Sequence, residues 1–302
     1  MAGDTAVRPP VPRLGAAAFG AVLLIAGSAG TWLLWRYFVD TREGQLIDDA
    51  ALSGSVIGQN LLWRAAEPVL DIVSVSFVVL VLAAAALIAV LRRRWLLAVQ
   101  VTVLVGGANI TTQLLKRTLL ERPHLADTGG AFANSLPSGH TTVAASVAAA
   151  LLLAVPHAIR PAVAIVAAAY TAATGLATVI GGWHRPSDAV AAVTVVLAWA
   201  GLTMILTALA DPERHRPGPA VGTTAAMAAA VLAVGGAAAV PAAFALLRTR
   251  DVLASSDVLT REDLATAYAG GALGIVAVTA VAYAAILVGD QMATHNRVAA
   301  PL

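Results

Sequence analysis

The chain is 302 residues long, 59% hydrophobic and only 12% charged, with a mean hydropathy of +0.81, whereas a soluble domain is about a quarter charged. A formal charge of +2 and the lack of any basic block with interleaved aromatics argue against a nucleic-acid partner. With no cysteine, a disulfide framework and a thiolate metal site are both excluded. Several apolar runs exceed the ~20 residues a helix needs to cross a bilayer, so the predicted class is an all-α polytopic membrane helical bundle with about eight transmembrane helices.

Residues 1–15 are Pro-rich with Arg8 and Arg13 and read as a cytosolic tail. The first span is placed at 16–35. A cleaved signal peptide is the alternative, because Ala26-Gly27-Ser28-Ala29 resembles a cleavage site, but the apolar run continues through Trp32-Leu33-Leu34-Trp35. Residues 36–68 read as a mixed-charge loop that can hold a surface helix with Leu46, Ile47, Ala51 and Leu52 on one side. Span two (69–91) ends at Arg92-Arg93-Arg94, and span three (96–115) delivers Lys116, the only lysine of the chain, to the membrane surface. Asn109, Gln113 and Lys116 share one helical face. A polar loop covers 124–137. Spans four to six follow at 139–155, 162–180 and 189–210, with Thr171, Thr174 and Thr178 at helical spacing in the fifth. A hydrophilic connector leads to spans seven (221–247) and eight (268–289), which flank a charged loop at 248–266.

With the N-terminus inside, the inner segments hold nine of the 19 basic residues in about half as many positions as the outer loops. Three polar stretches then fall on the outer face: Lys116 to Pro123, Leu136 to Thr142, and Gly182 to Asp188. Ser138 precedes an apolar run and is a good N-cap, while Gly139 permits close backbone approach, so this helix start suits a phosphate. Read alone, it is equally a capped span with an interfacial histidine, His140. His184 and Asp188 are four apart, so the carboxylate can hold one ring nitrogen and leave the other free for attack or proton transfer. Taken singly, such a pair is commonly structural, and Lys116 and Arg122 can be charges snorkelling to headgroups. Together, two cations, a capped helix start and two histidines at the same ends of spans three to six point to one reaction centre for an anion. A metal site built from His140, His184 and Asp188 is a weaker alternative.

These stretches resemble the type 2 phosphatidic acid phosphatase superfamily, lipid phosphate phosphatases related to vanadium haloperoxidases, whose motifs are written K-x6-R-P, P-S-G-H and S-R-x5-H-x3-D. Pro137-Ser138-Gly139-His140 matches in full, and His184-x3-Asp188 keeps its spacing. Two departures stand out: five residues rather than six separate Lys116 from Arg122, and Ala177-Thr178 occupies the place of the Ser-Arg pair. The resemblance implies a six-helix phosphatase core at 16–210 and two additional spans at 211–302. It also implies a metal-independent, cofactor-free phosphatase at the extracytoplasmic face of the cell membrane. Its substrate would be a lipid phosphate, either a polyprenyl phosphate or diphosphate or a glycerolipid. By that resemblance His184 is the nucleophile, Asp188 orients it, and His140 is the acid and then the base. Lys116, Arg122, Ser138 and Gly139 hold the phosphate, and Arg185 is expected to replace the missing arginine. A phosphotransferase and a non-catalytic lipid-phosphate binder or transport subunit are the alternatives.

Overall fold

The structure is a computed structural model that describes residues 14–72, 83, 95–126, 135–210, 221–256 and 258–294. Among these residues the chain forms eight α-helices and no strand. They are α1 (Leu14–Leu34), α2 (Arg42–Ile72), α3 (Trp95–Leu114), α4 (Gly139–Ala154), α5 (Arg160–Ile180), α6 (Pro186–Ala210), α7 (Val221–Ser255) and α8 (Arg261–Thr294). Five-residue π-helical turns extend α1 through Trp35–Val39 and α3 through Leu115–Leu119. Among the described residues, six helical segments are long and apolar enough to cross a membrane: Leu14–Val39, Trp95–Leu119, His157–Ile180, Pro186–Leu209, Gly222–Ser255 and Arg261–Ala293. The protein is thus an all-α, polytopic membrane bundle.

The second expected span lies largely outside the described residues. The fourth is observed as α4, a 16-residue helix that at 1.5 Å per residue is shorter than a bilayer core is thick. Two expected loops are corrected. The mixed-charge stretch at 36–68 is mostly α2, started by Thr41, whose Oγ1 accepts the Gly44 N–H at 3.0 Å, with Glu43 in the first turn to complement the helix dipole. Its polar residues Gln45, Asp48 and Ser55 are buried beside Ile47, Ala50 and Ala51. A polar side chain facing inward blurs the apolar stripe that signals a helix. The charged stretch at 248–266 is mostly helix as well. Helix α7 runs on to Ser255, and α8 starts at a reciprocal cap in which Thr260 and Asp263 each accept the other's backbone N–H, at 3.2 and 3.0 Å.

Small residues set the packing. At Gly27 of α1 a Cβ would lie 2.5 Å from the Thr194 carbonyl oxygen of α6, so only glycine permits this approach. One turn further along, Thr31 and Thr194 share a hydroxyl hydrogen bond of 2.8 Å. Helix α4 is the Ala-rich centre of the bundle, with Ala144, Ala145, Ala149 and Leu152 almost fully buried. Tyr283 of α8 reaches it by donating to the Ala145 carbonyl at 2.9 Å and meets Thr171 of α5 at 2.8 Å. The C-terminal pair of helices therefore packs on the same core, chiefly through α8. Across the bundle, α2 lies over the end of α5, where Ala66 and Trp63 pack with Ala177 and Ile180.

Candidate active site

At the C-terminal end of α3 the helix widens into the π turn carrying Lys116, closed by Leu120 N–H on the Leu115 carbonyl at 3.3 Å. The chain then bends so that Arg122 returns over it. Arg122 Nη1 donates to the Lys116 carbonyl at 2.5 Å and Nη2 to the Leu136 carbonyl at 2.8 Å. This guanidinium joins the first polar stretch to the second. Its Nε is buried with no hydrogen-bond partner among the described residues, and burial lowers its pKa against the opposing pull of Asp188. The ammonium of half-buried Lys116 makes no hydrogen bond among the described residues, yet it lies close enough to Asp188 and Arg122 for their charges to interact.

Ser138 behaves as the N-cap that its position predicts. Its backbone is extended (φ −67°, ψ 123°), and its Oγ accepts the Thr141 N–H at 3.3 Å and the Thr141 hydroxyl at 3.1 Å. The Ser138 N–H donates to the Asp188 carbonyl at 2.9 Å, which ties the start of α4 to the start of α6. Gly139 and His140 form the first turn of α4, only partly buried.

Between α5 and α6 the chain turns sharply. Gly182 sits at φ +70°, a left-handed conformation that glycine accepts without strain. The Trp183 and His184 N–H groups both donate to the Thr178 carbonyl, at 3.0 and 3.2 Å. The Thr178 hydroxyl turns back onto its own helix, donating to the Gly175 carbonyl at 2.7 Å. Thr178, which stands where the resembled family carries an arginine, is thus fully buried with its hydroxyl bonded to its own helix.

His184 is buried, and its Nδ1 lies 3.0 Å from Asp188 Oδ2. Ser135 completes the arrangement. Its Oγ is 2.7 Å from His184 Nδ1 and donates to Asp188 Oδ2 at 2.8 Å. A hydroxyl has one proton, so with that proton on Asp188, Ser135 accepts from Nδ1–H. The tautomer with Nδ1 protonated follows, and Nε2 has no hydrogen-bond partner among the described residues. Asp188 Oδ2 also accepts the Arg185 N–H at 3.2 Å, whereas its Oδ1 is buried without a hydrogen-bond partner among the described residues. The His140 ring stands 6.3 Å from the His184 ring, centroid to centroid, and 5.5 Å from Trp183.

Arg185 is placed differently from the expectation. The turn before Pro186 is non-helical, as proline favours, but the guanidinium is buried against α2, where Nη2 meets Asp49 Oδ1 at 3.1 Å. Beside it Asp48 accepts the Ser187 N–H at 3.2 Å and the Ser187 hydroxyl in a short hydrogen bond. Burial, with the nearby charge of Asp188, pushes the Asp48 carboxyl up to about 7. Burial also raises Asp49, against the pull of Arg185. Ser135, Asp48 and Asp49 were not singled out from the sequence. A serine three residues before Ser138 was a weak signal, and the two aspartates fell in what read as a loop.

The structure brings Lys116, Arg122, Ser138, Gly139, His140, His184 and Asp188 to one end of the bundle. No group of three or more His, Asp or Glu residues suited to a metal ion occurs among the described residues. Neither the curated proteins nor the solved structures contain a match to the chain. A family model does match, over the stretch from the start of α3 to just past the end of α6 that supplies every one of these residues: residues 95–211 match the PAP2 superfamily.

Proposed function

We propose that the protein is a membrane lipid phosphatase working through a phosphohistidine, with His184 as nucleophile. The observation that carries this reading is the Asp188–Ser135–His184 network, which fixes the proton on Nδ1 while Nε2 is left unbonded beside His140. In the first step Nε2 attacks phosphorus and the bond to the leaving oxygen breaks. That oxygen takes a proton from His140. In the second step His140 removes a proton from water, the water oxygen attacks phosphorus, and inorganic phosphate leaves Nε2. Asp188 stabilises the positive ring formed in between.

The phosphoryl oxygens would be held by the Lys116 ammonium, Arg122 Nε–H, the Ser138 hydroxyl and the Gly139 N–H at the start of α4, where the helix dipole also favours an anion. Arg185, expected from the sequence as a further phosphate cation, enters this reading through its grip on Asp49. A lipid substrate is supported by a groove of about 330 Å³ between α1, α3 and α6. Its lining includes Leu24, Trp32 and Trp199, and it reaches Leu115 and Leu120 on either side of the Lys116 turn. A polyprenyl or glycerolipid chain lying there would keep its phosphate at headgroup depth. The placement of the arginines supports an extracytoplasmic site.

The test is phosphate release by the purified protein from polyprenyl phosphate, polyprenyl diphosphate and phosphatidic acid with EDTA present. Turnover of at least one is expected. Binding without release would favour the non-catalytic alternative, and transfer to an added lipid alcohol the phosphotransferase. Because the chain has no cysteine, Leu125→Cys and Ala158→Cys report orientation cleanly. An impermeant thiol reagent on intact cells should label the first and spare the second, and the reverse pattern would invert the topology.

A further inference from the structure

The start of α6 has an unusual cap. Pro186 occupies the first helical position, so the next free backbone donor belongs to Ser187. The residue in the capping position is Arg185, whose side chain has no acceptor to offer. The acceptor comes from another helix. Asp48 of α2, 2% exposed, takes both the Ser187 N–H and the Ser187 hydroxyl. Its neighbour Asp49 takes the Arg185 guanidinium. One turn of α2 therefore grips the residue after His184 and the residue before Asp188.

An Asn or Ser at position 185 would cap α6 more cheaply, because a buried carboxylate costs free energy. The site is poorly suited to a charge. A cavity of about 190 Å³ beneath Asp48 is lined by Ile47, Ala51, Val190, Ala242, Leu246 and Gly271, among others. Among the described residues, the charged groups near Asp48 are Asp188 and Arg185 at the start of α6, and Asp49 on α2 itself. From α7 and α8 the cavity receives apolar side chains and Thr249. A carboxylate kept in such a place, one helix start away from the histidine pair, fits a requirement of geometry at that pair.

We propose that Asp48 and Asp49 are positioning residues for His184 and Asp188, with α2 acting as a clamp that holds the turn carrying the nucleophile. The inference rests on the phosphatase reading above. The backbone consequence is direct: Asp188 Oδ2 is aimed by its own bond to the Arg185 N–H, so loosening Arg185 or Ser187 misdirects the carboxylate that holds the His184 ring. Neither aspartate touches the phosphoryl group in this arrangement. Their loss should therefore lower kcat and leave KM nearly unchanged.

The experiment measures kcat and KM for phosphate release by the full-length wild type, Asp48→Asn and Asp49→Asn, with the thermal midpoint of each. Asp48→Asn keeps the shape and one acceptor but loses the charge. It is expected to lower kcat by about tenfold or more, since misplacing a reacting group by an ångström can cost a hundredfold, with KM within about twofold. Asp49→Asn should act in the same sense and more weakly. Unchanged kcat in both folded variants overturns the clamp, whatever happens to the midpoints. A raised KM at normal kcat also overturns it, because α2 would then act in substrate binding. If Asp48→Asn does not fold, Asp49→Asn decides: a lowered kcat supports the clamp and a normal one ends it. A wild type that releases no phosphate removes the phosphatase reading, and the clamp's role with it, whereas an active wild type with unchanged variants removes the clamp alone.

Discussion

Helix α5 has a buried ion pair at its start and a buried histidine–carboxylate pair just beyond its end. At the start, Arg160 pairs with Asp290 of α8, and its remaining groups donate to the Val155 carbonyl at 3.2 Å and the Leu153 carbonyl at 2.8 Å. Past the end, His184 meets Asp188 at 3.0 Å, but Asp188 Oδ1 and Arg122 Nε have no partner among the described residues. Buried polar groups are nearly always paired, and each exception asks for a reason. The first pair directs its polar groups at each other and at the local backbone, so it fastens α8 to the core. The second holds one side of an imidazole and leaves the other open. Closed networks of this kind hold a fold, and open ones are suited to receiving a ligand.

The widest separation between the two pairs should appear in turnover. His184→Ala is expected to lower kcat/KM by about 10⁴-fold with little change in thermal midpoint, because an open network contributes little to the fold. Labelled substrate quenched with His140→Ala should trap phosphate on His184, since this variant lacks the group that activates water. Asp188→Asn should retain more activity than His184→Ala, as it misorients the nucleophile without removing it. Near-normal phosphate release by His184→Ala would end the comparison.

At the other pair the expected effect is on stability. Breaking a buried ion pair by removing one partner leaves an uncompensated charge and costs about 3–5 kcal/mol, while replacing both partners with apolar residues is often neutral. Asp290→Leu should therefore lower the unfolding midpoint in detergent markedly, and Arg160→Met with Asp290→Leu should recover most of it. The double variant should keep wild-type turnover per folded molecule. A loss of turnover there would mean that the ion pair is coupled to the site along α5.

The two pairs also differ in how far the sequence announces them. His184 and Asp188 are four residues apart across the start of α6, and Ser138 caps the helix it begins, so short separation along the chain keeps the members of each group within reach. Arg160 and Asp290 are 130 residues apart, and Asp48 and Ser187 are 139; nothing local joins either pair. Arg185 illustrates the limit. The missing arginine at Thr178 makes it a reasonable phosphate cation, but a surface helix within 36–68 gives no sign that Asp49 is its partner. The apolar side with Ile47 and Ala51 is legible, but the burial of α2 is not, because Gln45 and Asp48 are polar yet face inward. Among the gross features, the apolar runs disclosed the spans at 16–35, 96–115, 162–180 and 189–210 within a few residues, since a membrane helix needs continuous hydrophobicity. Helix ends were less visible, as α7 and α8 carry charged residues inside their terminal turns.

Ser135 offers the finest test of an open network. Its hydroxyl bridges His184 and Asp188 by giving its proton to the carboxylate and receiving one from the ring. In Ser135→Ala, Asp188 Oδ2 keeps its bonds from His184 and from the Arg185 N–H, so the tautomer should survive. What disappears is one hydrogen bond to a charged group, worth about 1.5–3 kcal/mol when fully effective. The carboxylate is already held by two other donors, and each tenfold in rate corresponds to about 1.4 kcal/mol. The expected loss in kcat is therefore close to tenfold, well short of that in His184→Ala, and Ser135→Thr should restore most of it by returning the hydroxyl. A Ser135→Ala rate within twofold of wild type would show that Asp188 alone holds the ring. A loss as large as that of His184→Ala would make Ser135 an indispensable member of the network.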